Sequence, residues 1–496
     1  MCFAIPCFRD LTYTVVMSSE SLGQFVEQLL KTGQLTRVTT EIGSTSEVAE
    51  ITRRVCQGGG PALLFEKLSG SEQRIITNLF GTERRVSLAL GADDLDAVGR
   101  RLSGVEQFTS TSLLQRWKSA MPTEADDPLA PRSVKTAACQ QVVRPGRDVD
   151  LFALPTPEFV QDKQHRCLSG CKVVTSDIAG KQRHVTAVDL VIRDRKTLGI
   201  RWSPDQPIAH DYRTHVSAGE KMPMAVFFGG PPAVTLAGHA DVGYDTDDYV
   251  LAGLLGGAPL EVVTCRSLAL QVPAEAEVIL EGAIEPDVRP FVVEAFPTPA
   301  GFYQPQAEFL PLEIAVATGR TDPILPLMVC CRPPNEKTQL QRAVDRILLP
   351  LWQRVLPELV DFHSPSYMAA GFAVVSFRKT VAHQARQIAS ALWGQASTMA
   401  TRILICVDED IDVRDEREVW FQLSANLDPQ RDVFFYEGPG SSLSGSSDPN
   451  ASSVHMALDA TSKFPGERPG KALRAIVSNA DLQQLVQRRW SEYGLK

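Results

Sequence analysis

The sequence predicts a mixed α/β (α+β) chain of several domains, and three observations carry that expectation. Its 496 residues, 44% of them hydrophobic, exceed what one core can hold and call for two or three domains. Both ends of the chain alternate helix-period with strand-period segments. Residues 135–330 instead form a run of short strand-like stretches punctuated by Gly and Pro.

Taken in order, Leu22, Phe25, Val26, Leu29 and Leu30 fall at helical spacing, and Gly33 stands where a C-cap would. A strand signal follows at Leu35–Glu41. Ser44 and Glu47 then make a capping-box pattern ahead of Val48, Ile51 and Val55. Ala62–Phe65 and Ile75–Leu79 read as strands, which makes the first hundred residues a small α/β unit. Residues 120–135, with Pro122, Pro128 and Pro131, read as a connector. The strand-like runs beyond it are Cys171–Thr175, Val185–Arg193, Gly199–Trp202, Met224–Phe228, Leu260–Val263, Val278–Leu280 and Phe309–Val316, a pattern that suits a barrel or sandwich. Glu336–Val355 is an amphipathic helix with Leu340, Val344, Ile347, Leu348 and Leu351 on one face, and Pro350 predicts a kink or break in it. The last segment reads strand, helix, strand over Phe372–Phe377, His383–Trp393 and Arg402–Val407. Gly438–Ser453, rich in Gly and Ser, reads as a mobile loop.

The net charge of −9 and the absence of long basic runs argue against nucleic acid or anionic membrane as the main partner. Ten irregularly spaced cysteines without a Cys-x-x-Cys suit reduced thiols in a cytoplasmic protein. No apolar run reaches membrane-spanning length. Residues 1–16 lack the pattern of a secretory signal and are read as an extension outside the core.

Two separated segments carry a family resemblance: Arg332-Pro333-Pro334-Asn335-Glu336, and Met456 to Glu467 with the sequence Met-Ala-Leu-Asp-Ala-Thr-Ser-Lys-Phe-Pro-Gly-Glu. Together they resemble the UbiD family of reversible (de)carboxylases that use prenylated FMN. The resemblance runs from about Leu22 to the C-terminus. It implies a split β-barrel of the flavin-reductase type in the middle, a linker helix, and a C-terminal domain that mediates self-association into a homodimer or larger homo-oligomer. The implied boundaries are 17–120 for the N-terminal unit, 121–332 for the cofactor barrel, 333–360 for the linker and 361–496 for the oligomerisation domain.

The resemblance also implies a chemistry. The cofactor is an electron sink supplied by a flavin prenyltransferase, with Mn2+ or Mg2+, and K+ as a further cation. The substrate is an aromatic, heteroaromatic or α,β-unsaturated carboxylic acid that releases CO2. Such a site needs a metal-assisted phosphate clamp, an acid that returns a proton to carbon, and a cation that orients the substrate carboxylate. Anchoring on Arg201-Trp202 and Tyr249-Val-Leu-Ala-Gly253 places the family's Asn, His and Glu metal ligands at His184, Asp205 and Asp248. The ligand set is altered but still suits a divalent cation. The family's carboxylate-orienting Arg falls on Asp189, a reversal of charge, with Arg193 and Arg195 sharing its facing if the strand continues. Glu294 matches the proton-donating acid, and Thr298 or Pro299 stands where a second acid belongs. Arg402 falls where a Lys reaches the flavin phosphate.

Two functions follow from these residues. One is a prenylated-FMN decarboxylase with Glu294 as proton donor. The other is a UbiD-like protein that has lost cofactor binding, as a partner subunit or with altered chemistry. A flavin oxidoreductase is the weakest reading: Gly229-Gly230-Pro231-Pro232 ends in prolines and does not match a dinucleotide fingerprint.

Overall fold

The computed structural model describes residues 18–104, 129–156, 166–369, 371–395, 397–439, 452–467, 476 and 478–494. The 1–16 extension, most of the 120–135 connector and the interior of the Gly/Ser-rich stretch lie outside them.

The first expected helix spans Leu22–Lys31, with the Ser21 side chain accepting the Gln24 N–H. The second spans Thr45–Gln57 and is capped by Ser44. Strands Leu35–Val38, Ala62–Phe65 and Arg74–Thr77 lie side by side. A fourth strand, Ile324–Pro326, joins their sheet beside Arg74–Thr77 after crossing the whole middle of the chain.

The middle strands form one ten-stranded sheet. Its spine is the 17-residue strand Tyr303–Gly319, which pairs antiparallel with Thr197–Arg201, Ala276–Ile284, Phe291–Pro297 and Val142–Pro145. The run expected as one strand, Val185–Arg193, is two. Arg183–Ala187 pairs with Lys172–Ser176, whereas Asp189–Ile192 pairs with Thr197–Arg201 and Arg166–Leu168. The chain changes ladders at Val188, and the second strand ends at Ile192, so the facing drawn from Asp189 to Arg193 and Arg195, which lie beyond it, does not hold. Arg193 stacks over Phe291, 4.7 Å from its ring centre, and Arg195 lies 3.5 Å from Asp150.

The linker helix runs unbroken over Glu336–Val355, through Pro350. It crosses helix Leu95–Gly104 at Gly99, where an added Cβ would sit 3.0 Å from Pro350 Cγ and 3.1 Å from the Ile347 carbonyl oxygen, so a larger residue would have to push the helices apart. Arg346 then joins three parts of the chain, donating to Asp96 Oδ2 at 2.8 Å and to Asp361 Oδ1 at 2.6 Å. The C-terminal unit is a five-stranded sheet in the order Leu359–His363, Phe372–Phe377, Ile403–Asp408, Ser452–Asp459, Val433–Pro439. No helix among the described residues is long and apolar enough to cross a membrane.

The two signature segments are structural joints. Asn335 caps the linker helix through Thr338 and donates Nδ2 to the carbonyls of Pro299 at 2.8 Å and Cys331 at 2.6 Å. Glu336 accepts the Phe80 N–H at 2.9 Å, and burial pushes its carboxyl up to about 7. Barrel, N-terminal unit and linker helix therefore meet on two adjacent side chains. In the second segment, buried Lys379 donates to Glu467 at 2.7 Å and to Thr461 at 2.9 Å, while Glu467 takes the N–H groups of His383 and Phe464.

Candidate active site

A cleft of about 1470 Å3, counting its open mouth, lies between the ten-stranded sheet, the linker helix and the C-terminal unit. Asp189 and Arg201 reach it from directly opposite positions of one antiparallel ladder, so their side chains project to the same face. Asp205 lies on the loop before helix Pro207–Ala218. Asp241 follows helix Pro232–Ala237, and Asp248 opens helix Asp248–Gly256. The linker helix contributes Lys337, Gln341 and Asp345, one turn apart on one face. Ser364, Gly371 and Thr401 close the far wall.

The carboxyls of the acidic side are raised chiefly by burial. Asp248 is buried and accepts the Val185 N–H at 2.7 Å; burial pushes its carboxyl up to about 8. Asp241 is pushed up to about 6, by burial first and then by the Asp205 carboxylate, and its buried Oδ1 has no hydrogen-bond partner among the described residues. Asp205 stands at the mouth, and partial burial raises its carboxyl as well. Crowded carboxylates with an unsatisfied oxygen call for protons or a cation. Among the described residues no three His, Cys, Asp or Glu side chains are grouped closely enough to enclose a metal alone.

The opposite corner is cationic. Lys337 Nζ lies 2.9 Å from Asp189 Oδ1. Arg201 donates to Gln304 at 2.7 Å. His239 Nδ1 faces the Thr235 carbonyl at 2.8 Å, and burial with nearby Lys172 and Lys337 holds its pKa well below the ordinary value.

Of the residues expected from sequence, Asp189, Asp205 and Asp248 converge here. His184 does not. It is fully buried behind the wall, with Nδ1 2.8 Å from Asp211 Oδ2 and Nε2 2.8 Å from the Tyr244 carbonyl. Both nitrogens face acceptors, so both carry protons and no lone pair is left for a metal. Burial works against that charge, but Asp211 and the Tyr244 carbonyl outweigh it and raise the pKa.

Glu294 is also misplaced by the sequence reading. It is exposed on strand Phe291–Pro297, opposite Gln306, and does not line the cleft. Thr298, where a second acid was expected, donates its hydroxyl to the Phe302 carbonyl at 2.8 Å and so closes the shortened loop. Gly301 makes that closure possible at φ +83°, with Arg332 Cα 2.5 Å from any added Cβ. Arg402 is half-buried beside the cleft rather than in its lining. Its N–H donates to Gly371 O at 2.7 Å, and the adjoining Thr401 forms the wall.

Asp241, His239, Lys337 and Asp345 were missed by the sequence reading. A signal existed for two of them: Lys337, Gln341 and Asp345 recur every four residues, on one face of an amphipathic helix.

Comparison with protein-family models matches the chain three times. Residues 26–102, 132–333 and 338–460 match the N-terminal, Rift-related and C-terminal domains of 3-octaprenyl-4-hydroxybenzoate carboxy-lyase. Among solved structures, the vanillic acid decarboxylase of Sedimentibacter hydroxybenzoicus in closed form is 26% identical. That match covers 96% of this chain and 99% of that one, with a TM-score of 0.83. The open form of that enzyme gives 25% identity over the same shares and a TM-score of 0.73, so the present arrangement resembles the closed form more. HmfF from Pelotomaculum thermopropionicum, solved in complex with FMN, shares the fold at 24% identity and a TM-score of 0.74, covering 94% of this chain and 98% of that one.

Proposed function

The chain belongs to the UbiD family of carboxy-lyases, and we propose that it decarboxylates an aromatic, heteroaromatic or α,β-unsaturated carboxylic acid with prenylated FMN held in the interdomain cleft. One observation carries this reading: Asp189, Asp205 and Asp248, spread along the sequence, converge with the linker helix on one cleft. When bound, prenylated FMN supplies the electron sink for loss of CO2.

The protein's own groups have the remaining tasks. Asp205, Asp241 and Asp248 are hard oxygen donors; they do not form a metal site by themselves, so Mn2+ or Mg2+ would be held only together with the cofactor's phosphate oxygens. The unpartnered Asp241 oxygen supports that fit, and Asp241 stands in for His184. The cation in turn offsets the repulsion between the carboxylates and a phosphate. Asp345 takes the proton-donating role expected of Glu294. It is buried in the cleft wall and bonded to Gln341 at 2.9 Å and Ser364 at 3.1 Å. Burial pushes its carboxyl up to about 6, which suits an acid working near neutrality.

The test is CO2 release from a panel of aromatic and heteroaromatic acids, using protein co-expressed with a flavin prenyltransferase. Release that is lost in Asp345→Asn and kept in Glu294→Gln is expected. A second reading, a family member without cofactor, rests on the engaged His184 and the reversed charge at Asp189; protein that stays empty under the same conditions supports it.

Self-association belongs to the same proposal. Trp420 and Phe421 on helix Glu416–Asn426, 48% and 61% exposed, lie in the same domain as Phe435, 66% exposed on the edge strand Val433–Pro439. Apolar side chains so exposed on the C-terminal unit suit a homodimer face, which sedimentation of the full chain tests.

A further inference from the structure

We propose that Lys337 is the group that reads the substrate carboxylate in this cleft, with Asp189 as its tethering counter-ion. The inference deepens the decarboxylase reading and rests on the same cleft. Asp189 reverses the charge that the family resemblance leads one to expect at its position, so the cleft needs another cation if it is to accept an acid.

The geometry supplies one. Lys337 is the second residue of the linker helix, two positions after the Asn335 cap, so its backbone is fixed by the joint described above. Its ammonium has three donors, and Asp189 takes one at 2.9 Å. Among the described residues no protein acceptor is assigned to the other two. The pair is neither fully buried nor free in solvent: the side chains are 17% and 21% exposed, and both line the cleft. A carboxylate arriving there meets a positioned ammonium in a partly desolvated corner, where a charge-assisted hydrogen bond is stronger than in water.

Charge around the pair points the same way. Arg201 sits directly across the ladder from Asp189 and lines the same corner. Lys172 lies behind the wall, fully buried, and its pKa is lowered to about 8 by that burial. The near end of the linker helix adds the partial positive charge of its first turn. Lys337 and Arg201 thus outnumber Asp189 in this ladder corner, while Asp205, Asp241 and Asp248 line the same cleft. An acid entering the cleft is oriented with its carboxylate toward Lys337 and away from those three carboxylates.

The experiment is ligand binding by the full chain as purified, without added cofactor, using benzoate and its neutral counterpart benzamide as probes in calorimetry or saturation-transfer NMR. The wild-type chain is expected to prefer benzoate. Lys337→Met is expected to weaken benzoate binding by about tenfold, the weight of one charge-assisted hydrogen bond. Lys337→Arg is expected to restore most of the preference. Asp189→Asn, which frees the third donor, is expected to strengthen benzoate binding, while benzamide stays within about twofold in every variant. A merely structural Lys337–Asp189 pair gives loss in both variants and moves both probes together, and that result overturns the proposal. Equal binding of the two probes by the wild-type chain overturns it too. Absence of CO2 release, with the benzoate preference and its two opposite responses intact, sinks the decarboxylase reading and leaves this one standing.

Discussion

His184→Asn is the most informative single change outside the cleft lining, because it places at that position the residue the family resemblance leads one to expect. His184 is a buried cation whose side chain is 1% exposed, against an Asp211 side chain that is 0% exposed. An asparagine amide still reaches Asp211 but loses the charge and the bond to the Tyr244 carbonyl. Asp211 keeps the Thr175 hydroxyl at 2.7 Å and the Tyr244 hydroxyl at 2.9 Å, and the Tyr244 carbonyl keeps Gln182 Nε2 at 3.0 Å, so neither acceptor is orphaned. The expected loss is about 2–3 kcal/mol, the range for a hydrogen bond to a charged group. It has a pH signature. His184 has a raised folded-state pKa, so its contribution is full below the ordinary histidine value and is lost as pH rises through the folded value. The wild-type advantage over His184→Asn is therefore largest at about pH 6 and shrinks toward pH 9. Urea unfolding across that range reads the difference, and amide exchange of residues 241–248 localises it. An advantage under about 0.5 kcal/mol at pH 6, or one that grows with pH, refutes the assignment of His184 as a charged strut.

Three further changes test other parts of the account. Lys379→Met breaks a pair whose side chains are 3% and 2% exposed and is expected to cost about 3–5 kcal/mol, read as a lower calorimetric midpoint. Burial acts to raise the Glu467 carboxyl, but Lys379 and the two N–H donors outweigh it and lower the pKa. The pair's contribution is present above the ordinary glutamate range and lost as pH falls through the folded value. Asn335→Ala removes a cap and leaves two carbonyls without their donor; a loss of about 2 kcal/mol or more is expected in urea unfolding. Glu294→Gln is expected to keep turnover within about twofold, since an exposed carboxylate outside the cleft has no proton to deliver there, and Asp345→Asn is expected to lose most of it; the initial rate of CO2 release decides.

The parts of this fold that sequence made legible are those fixed by local period. The Glu336–Val355 helix follows from its apolar face, and Phe372–Phe377, Gln384–Trp393 and Ile403–Asp408 follow from alternating strand and helix signals. Pairing between distant segments was not legible. Nothing local in Ile324–Pro326 says that it completes a sheet begun at Leu35. Nothing in Val185–Arg193 marks Val188 as the change of ladder or Ile192 as the end of the second strand, beyond which Arg193 and Arg195 lie. Pro350 reads as a breaker, yet the helix continues through it, packed on Gly99. The site shows the same division. The three positions that motif spacing picked out, Asp189, Asp205 and Asp248, line one cleft. His184 failed because the wall faces the cleft through Val185 and Thr186, while the His184 ring turns to Asp211. Glu294 failed because burial beside a cofactor cannot be read from a strand whose pairing is unknown. Lys337 was masked by the motif in which it sits, where the neighbouring side chains serve the domain joint.

The claim beneath all of these is that the cleft still holds prenylated FMN despite its altered residues. The most direct measurement is an absorption spectrum with native mass spectrometry of the full chain after co-expression with a flavin prenyltransferase in the presence of manganese. The account predicts a flavin-type spectrum and a mass increment equal to prenylated FMN, reduced when Asp241 and Asp248 are replaced by Asn. A folded protein with neither the spectrum nor the added mass contradicts it.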